Sequence, residues 1–170
     1  TNVTEGTANT RIEYWKAAFR MFVDRPLLGV GVGNGGAHMP EYVRGFEDPN
    51  TQWGRAFHGT LPQVIAETGA LGTMLFAAMA VYTLRRLWQI RKSVAGKKSQ
   101  PYLHYMANGF IGSIIAFMAS GAFLSVAYYP HLWAIYTFST IFFLLVKTDS
   151  DQSSTDKLRV ETERSHRGHR

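Results

Sequence analysis

Long uncharged, apolar runs in the second half of the chain predict membrane-spanning helices. No Asp, Glu, Lys or Arg occurs between Lys98 and Lys147. A second uncharged run extends from Thr68 to Leu84. With the apolar turn before it, this run approaches the roughly 20 residues that a helix needs to cross a bilayer. The pattern therefore predicts an all-α integral membrane protein, although the mean hydropathy of the whole chain is only −0.10.

Three spans fit these runs. The longer run is interrupted from Tyr128 to His131, where two aromatic residues and a proline favour a turn at the membrane surface. The third span is short, about 16 to 20 residues. The predicted spans cover residues 65–84, 103–125 and 131–146.

The net charge of +6 is concentrated in the predicted loop 85–101. Six of the 18 basic residues lie in this loop, and the other 12 balance the 12 acidic residues. A short basic loop between apolar spans indicates the cytoplasmic side of a membrane. Segment 1–62 is therefore expected outside the cytoplasm, and 147–170 is expected to be a disordered cytoplasmic tail. This location of the charge argues against binding to nucleic acid.

The N-terminal segment has the pattern of an amphipathic helix. Thr10 and Glu13 have the spacing of a capping box, which predicts that the helix starts there. Apolar residues then recur at helical spacing, and the stripe consists of Ile12, Trp15, Phe19 and Phe22. Such a helix fits a membrane surface or packing against the rest of the protein, and both can hold together.

A glycine-rich stretch follows Pro26. Gly31, Gly33 and Gly36 have the spacing of a dinucleotide-binding fingerprint, but the strand, crossover helix and second strand that this fingerprint requires are not predicted around it. We therefore interpret the stretch as a close backbone turn and exclude nucleotide binding.

The histidines do not form a metal-binding motif. The chain has six histidines and no cysteine, without His-Glu-x-x-His and without a His pair on one helical face. Such spacing makes a zinc site improbable. The chain also starts at Thr1 without a signal-like segment, which predicts that it is the C-terminal part of a longer protein.

His58 has the most informative surroundings. It is followed by Gly59, nine further residues and Gly-x-x-Gly at 69–72. This order resembles the motif of the bacterial superfamily of O-antigen ligases, O-antigen polymerases and protein O-oligosaccharyltransferases. In that motif, Asn, Ser or Gln follows the histidine, so Gly59 is a departure that removes a side chain beside the imidazole.

Further segments carry the same resemblance, which covers most of residues 10–146. Segments 11–18, 24–34 and 63–72 are similar to the family, and 121–129 is similar to O-glycosylation ligases found with exosortases. The resemblance implies an enzyme of the bacterial inner membrane with several membrane passes. It also implies a glycan donor linked to undecaprenyl diphosphate and an acceptor hydroxyl on lipid A core, a protein or another glycan.

The resemblance also implies roles for three residues. His58 would act as the base that takes the acceptor proton, because an imidazole can be neutral at physiological pH. Arg11 matches an arginine that the family has before an aromatic residue, and Arg55 is a second candidate. Both guanidinium groups could bind the diphosphate and stabilise its charge as it leaves. With arginines in that role, no metal or other cofactor is expected.

Other functions remain open at this stage. An O-antigen polymerase would use the same chemistry, and a non-catalytic membrane scaffold or transporter subunit would need neither His58 nor the arginines. In the latter case His58 would cap a helix and the arginines would meet lipid headgroups. Transporters often carry buried charges or broken helices at mid-membrane, and the predicted spans show neither. Glu67, at the outer end of the first span, is expected to have a structural role.

Overall fold

The fold is all-α, as predicted. The computed structural model describes residues 8–94 and 101–168, and no strand occurs among them. The helical elements are α1 (Ala8–Asp24), α2 (Gly35–Tyr42), a 3₁₀ turn (Pro49–Gln52), α3 (Thr60–Val94), α4 (Pro101–Gly121) and α5 (Pro130–Gly168).

Helices α3, α4 and α5 form the membrane part. Each contains a stretch long and apolar enough to cross a bilayer, within Thr60–Val94, Tyr102–Gly121 and Pro130–Thr148. Leu87, Ile114 and Leu132 are fully buried where the three helices pack together. Many large apolar side chains on the outside of the bundle are exposed, as a lipid-facing surface requires. The prediction of three spanning helices is therefore confirmed.

Helix α3 is broken near its start, whereas the sequence predicted an unbroken first span. Gly69 has φ 62° and ψ −159°, far from helical values. The break divides α3 into a short first part of about two turns and a long second part. It lies near one end of the predicted span 65–84 and not at its middle. Breaking a helix frees backbone N–H and C=O groups, which need other partners when they are buried.

The segment Pro26–Gly31 supplies those partners by running alongside the break. It donates to the carbonyls that end the first part of α3 and accepts from the amides that begin the second part. The bonds are Val30 N to Ala66 O (2.9 Å), Gly31 N to Glu67 O (3.0 Å), Ala70 N to Pro26 O (2.7 Å) and Leu71 N to Leu27 O (3.3 Å). The predicted close backbone turn is therefore present, and it closes the break in α3.

A second core lies at the end of the bundle where α3 begins. Here α1, α2 and the glycine-rich stretch pack on the first part of α3. Its buried residues include Tyr14, Ala17, Met21, Met39 and Phe57. We call this part, residues 8–68, the N-terminal unit.

Helix α1 packs through a different face from the one that the sequence indicated. The buried face consists of Thr10, Glu13, Tyr14, Ala17, Ala18 and Met21. Ile12, Trp15 and Phe19 of the predicted apolar stripe are 47%, 38% and 63% exposed. The small side chains of Ala17 and Ala18 let the helix approach its neighbours closely, which a count of large apolar residues does not detect. Contact of the exposed stripe with a membrane surface stays a prediction.

The predicted capping box at Thr10 is wrong. Helix α1 already begins at Ala8, so Thr10 and Glu13 lie inside it. The Glu13 carboxylate instead accepts hydrogen bonds from the Arg20 guanidinium (2.6 Å) and from the backbone N–H of Arg44 (2.9 Å). The Glu13 carboxylate, which the local pattern assigned to a helix cap, therefore binds the loop after α2 instead.

The prediction of disorder for residues 147–170 is also wrong over most of this segment, because α5 continues to Gly168. Lys, Arg, Glu and Gln are good helix formers, and no proline interrupts them. The predicted basic loop 85–101 is likewise helical through Val94. Lys97 and Lys98 of that loop lie outside the described residues, and the side of the membrane assigned to it stays a prediction.

Candidate functional site

His58 lies in the connection between the 3₁₀ turn and α3, in a strained backbone conformation. Its φ is 54°, and no other residue of the described chain except glycine has a positive φ. For a residue with a Cβ atom this left-handed conformation costs roughly 1–2 kcal/mol. Contacts on both sides must therefore hold His58 in place.

The residues on either side of His58 are fixed by hydrogen bonds. The Phe57 side chain is buried, and its carbonyl oxygen accepts a hydrogen bond of 3.0 Å from the Trp15 indole Nε1. The carbonyl oxygen of Gly59 accepts one of 3.1 Å from the backbone N–H of Gln63, at the start of α3. His58 is therefore held between a contact with α1 and the first turn of α3.

The imidazole of His58 stacks on the ring of Tyr14, with 6.0 Å between ring centroids and 19° between ring planes. The Tyr14 hydroxyl donates a hydrogen bond of 2.6 Å to the buried side-chain oxygen of Gln52. This bond fixes the surface on which the imidazole lies. The histidine ring packs on α1. In the scaffold or transporter alternative, it was instead expected to cap the start of a helix.

Each of the two predicted arginines is a near neighbour of one member of the hydrogen-bonded pair Tyr14 and Gln52. Arg11 is exposed and precedes Tyr14 by three residues in α1, so the two side chains are neighbours on one helix face. Arg55 is exposed in the loop before His58, and its backbone N–H donates to the carbonyl of Gln52 (3.2 Å). Tyr14 and Gln52 thus connect the positions of all three predicted site residues.

The space beside Gly59 is already occupied. A Cβ atom added at Gly59 would lie 3.2 Å from Trp15 Nε1 and 3.1 Å from Pro62 Cδ, which is tighter than ordinary contact. Trp15 and Pro62 therefore fill the region where the family motif carries a larger residue.

Glu67 anchors the glycine-rich stretch to α3. Its side chain is 3% exposed, and its two carboxylate oxygens accept hydrogen bonds from the backbone N–H groups of Gly33 (3.1 Å) and Gly35 (3.0 Å). A Cβ atom at Gly35 would overlap the Phe57 ring, so the backbone there packs directly against the residue before His58. These contacts give Glu67 the structural role that the sequence led us to expect.

Tyr128 joins the α4–α5 connection to the same carboxylate. Burial, and then the hydrogen bond to Glu67, raise the pKa of the Tyr128 hydroxyl above its ordinary value. The hydroxyl therefore keeps its proton and remains a donor to Glu67. The sequence marked Tyr128 only as a residue of the membrane surface, because nothing local indicates a partner 61 positions earlier.

A cavity of about 540 Å³ lies farther along α1, beside its C-terminal half. Its lining residues are Phe19, Arg20, Val23, Asp24, Glu41, Tyr42 and Arg44. In the described part of the chain, no group of three or more His, Cys, Asp or Glu residues is arranged to hold a metal ion. Independence from metals stays a prediction.

Residues 2–77 match a family model described as O-antigen ligase. This segment is therefore similar to the O-antigen ligase family, and the match supports membership of that superfamily. The match includes α1, the glycine-rich stretch, His58 and Glu67. Comparisons with curated proteins and with solved structures found no match. Membership of the O-antigen ligase superfamily supports a glycan-handling function of the ligase or polymerase type, in a membrane, on glycan or lipid-linked substrates.

Proposed function

We propose that this chain is the C-terminal part of a glycan ligase of the bacterial inner membrane. It transfers a glycan from undecaprenyl diphosphate to an acceptor hydroxyl at the periplasmic face, and the acceptor is lipid A core, a protein or another glycan. The observation that carries the proposal is the strained His58, stacked on Tyr14 one helical turn from Arg11 within the family segment. Strained backbone of this kind concentrates at functional sites.

In the proposed reaction, the acceptor oxygen attacks the anomeric carbon of the donor sugar. The bond between that carbon and the diphosphate oxygen breaks, and its electron pair leaves with the diphosphate. His58 takes the proton of the acceptor hydroxyl as the new carbon–oxygen bond forms. Arg11 and Arg55 stabilise the charge of the departing diphosphate, so the step needs no metal ion or other cofactor.

Two alternatives lead to different outcomes in cells. An O-antigen polymerase would perform the same chemistry on an acceptor that is itself linked to the carrier. A scaffold or transporter subunit would not need His58. The broken α3 is a feature that some transporters have, but here the segment Pro26–Gly31 occupies the backbone groups that the break frees. This arrangement favours a fixed structure over an ion pathway.

The test is removal of the gene for the full-length protein, followed by analysis of carrier-linked glycan and of candidate acceptors. For a ligase we expect long glycan to accumulate on undecaprenyl diphosphate and the acceptor to lack it, with both effects reversed by the wild-type gene. Accumulation of single repeat units would instead indicate the polymerase. Unchanged glycan on both carrier and acceptor would exclude transfer as the function.

Replacing Arg11 by lysine is expected to reduce glycan transfer about tenfold, mainly by raising the KM for the donor. Lysine keeps the positive charge but cannot bind two diphosphate oxygens side by side, and losing one such charged hydrogen bond corresponds to roughly 1.5–3 kcal/mol. Initial rates in membranes at several donor concentrations would measure this. Lys16→Ala, at an exposed position of the same helix, is the control and should leave KM unchanged. Equal KM values for Arg11→Lys and wild type would remove Arg11 from the proposed diphosphate site.

A further inference from the structure

We propose that Trp15 is a positioning residue that sets the orientation of His58, an inference that rests on the proposed function. The indole of Trp15 meets the chain on both sides of the histidine. Its Nε1 donates to the carbonyl oxygen of Phe57, and the same nitrogen lies 3.2 Å from the place of a Cβ atom on Gly59. Trp15 therefore contacts the peptide group before His58 and fills the space after it.

The hydrogen bond from Trp15 acts on the backbone angle that is strained. The Phe57 carbonyl belongs to the peptide plane that also contains the N–H of His58, so the orientation of this plane fixes φ of His58. With the bond in place, φ stays at 54°. Without it, rotation of the plane would relieve the left-handed strain and turn the imidazole away from Tyr14.

The rest of the surroundings would not replace this bond. The Phe57 side chain is 2% exposed and fixes the position of the residue, but it leaves the rotation of the following peptide group free. The stacking on Tyr14 involves only ring faces at 6.0 Å and sets no hydrogen-bond direction. The indole N–H is thus the directional contact on the Phe57–His58 peptide group.

A role in packing alone would have a different signature. Trp15 is 38% exposed, and phenylalanine would retain most of its apolar contact while removing the N–H donor. If Trp15 only packed, Trp15→Phe would behave like any conservative surface change. If it positions His58, the substitution changes the turnover rate and the environment of the imidazole without changing the amount of folded protein.

The test is Trp15→Phe in the full-length protein, with Trp88→Phe as the matched control at the far end of α3. We expect kcat for glycan transfer to fall about tenfold per membrane-inserted protein in Trp15→Phe, with little change in KM. Trp88→Phe should behave as wild type. A second readout is the rate at which diethyl pyrocarbonate modifies His58, followed by mass spectrometry of peptides across a pH range, with His131 as the internal reference. This rate should change several-fold at His58 only.

The results separate this inference from the proposed function. Unchanged kcat and unchanged labelling of His58 in Trp15→Phe would overturn the positioning role. If His58→Asn abolishes transfer while Trp15→Phe does not affect it, only the positioning role fails. If His58→Asn itself retains transfer, the role of His58 as base fails, and Trp15 then has no catalytic group to orient. The proposed function fails only if the wild-type protein itself transfers no glycan.

Discussion

Glycan transfer should fall at least about 100-fold when His58 is replaced by asparagine, while the full-length protein stays at its normal level in the membrane. A positioned general base typically contributes about 10²–10⁴-fold to a rate. Asparagine adopts left-handed backbone conformations more readily than most residues, so φ near 54° adds no new strain. Its carboxamide cannot accept the proton of the acceptor hydroxyl. Transfer per membrane-inserted protein is the quantity to measure.

His131→Asn provides the matched control for that measurement. His131 is exposed at the start of α5, at the same end of the bundle, and the variant should transfer glycan at the wild-type rate. His58→Gly adds a further comparison, because glycine removes the left-handed strain together with the imidazole. We expect it to be at least as abundant as wild type and equally inactive as His58→Asn. Near-normal transfer by both His58 variants would mean that this residue is a structural turn into α3.

The membrane helices could be predicted from the sequence because lipid imposes a simple rule on length and polarity. Their ends could not be predicted as well. The second span was expected to reach residue 125, but α4 ends at Gly121. The apolar residues after it form a turn that Thr60 holds, since its hydroxyl donates to the carbonyl of Leu124 (2.7 Å). Composition alone does not distinguish an apolar helix end from an apolar loop packed on another helix.

The motif singled out His58 as a candidate, but the residues that hold it could not be predicted from the sequence. Tyr14 and Trp15 read as members of an amphipathic helix, and their roles depend on contacts with residues about 40 positions later in the chain. The same limit applies to α1 itself. Its buried face is the one where the small side chains of Ala17 and Ala18 allow close packing. Whether close packing is possible there depends on the shape of the neighbouring elements.

The turn in the glycine-rich stretch could be predicted from the local sequence, but the element that it packs against could not. Glycines predict that the chain can turn closely, and the structure has such a turn with positive φ at Gly29, Gly31 and Gly33. The partner of the turn is the break in α3, more than 30 residues away. Gly69 was recognised only as part of a motif, because a helical pattern gives no sign of one non-helical residue inside it.

Replacing Gly69 by alanine is expected to prevent accumulation of folded protein. The added Cβ atom would lie 2.6 Å from both the carbon and the oxygen of the Leu27 carbonyl and 2.7 Å from the nitrogen of Gly29. These are backbone atoms held by hydrogen bonds, the Leu27 carbonyl to Leu71 N across the break and Gly29 N to the Arg25 carbonyl within the turn, so they cannot turn aside as a side-chain end can. The φ and ψ of Gly69 also lie in a region that is essentially restricted to glycine. Together these effects are expected to lower the free energy of unfolding by more than about 4 kcal/mol.

Gly109→Ala, in the middle of α4, makes the same chemical change without the clash. No heavy atom lies within 4 Å of a Cβ atom at Gly109, and alanine favours a helix over glycine by about 1 kcal/mol. We expect this variant to reach at least the wild-type level in membranes and to unfold at the same or a higher temperature in detergent. The difference in membrane level and unfolding temperature between the two variants then measures the contribution of the contact between Pro26–Gly31 and the break in α3. A Gly69→Ala protein as abundant and as heat-stable as Gly109→Ala would mean that the contact between Pro26–Gly31 and the break in α3 is not a fixed part of the fold. The packing of Gly35 against Phe57, the residue before His58, would then lose its structural basis.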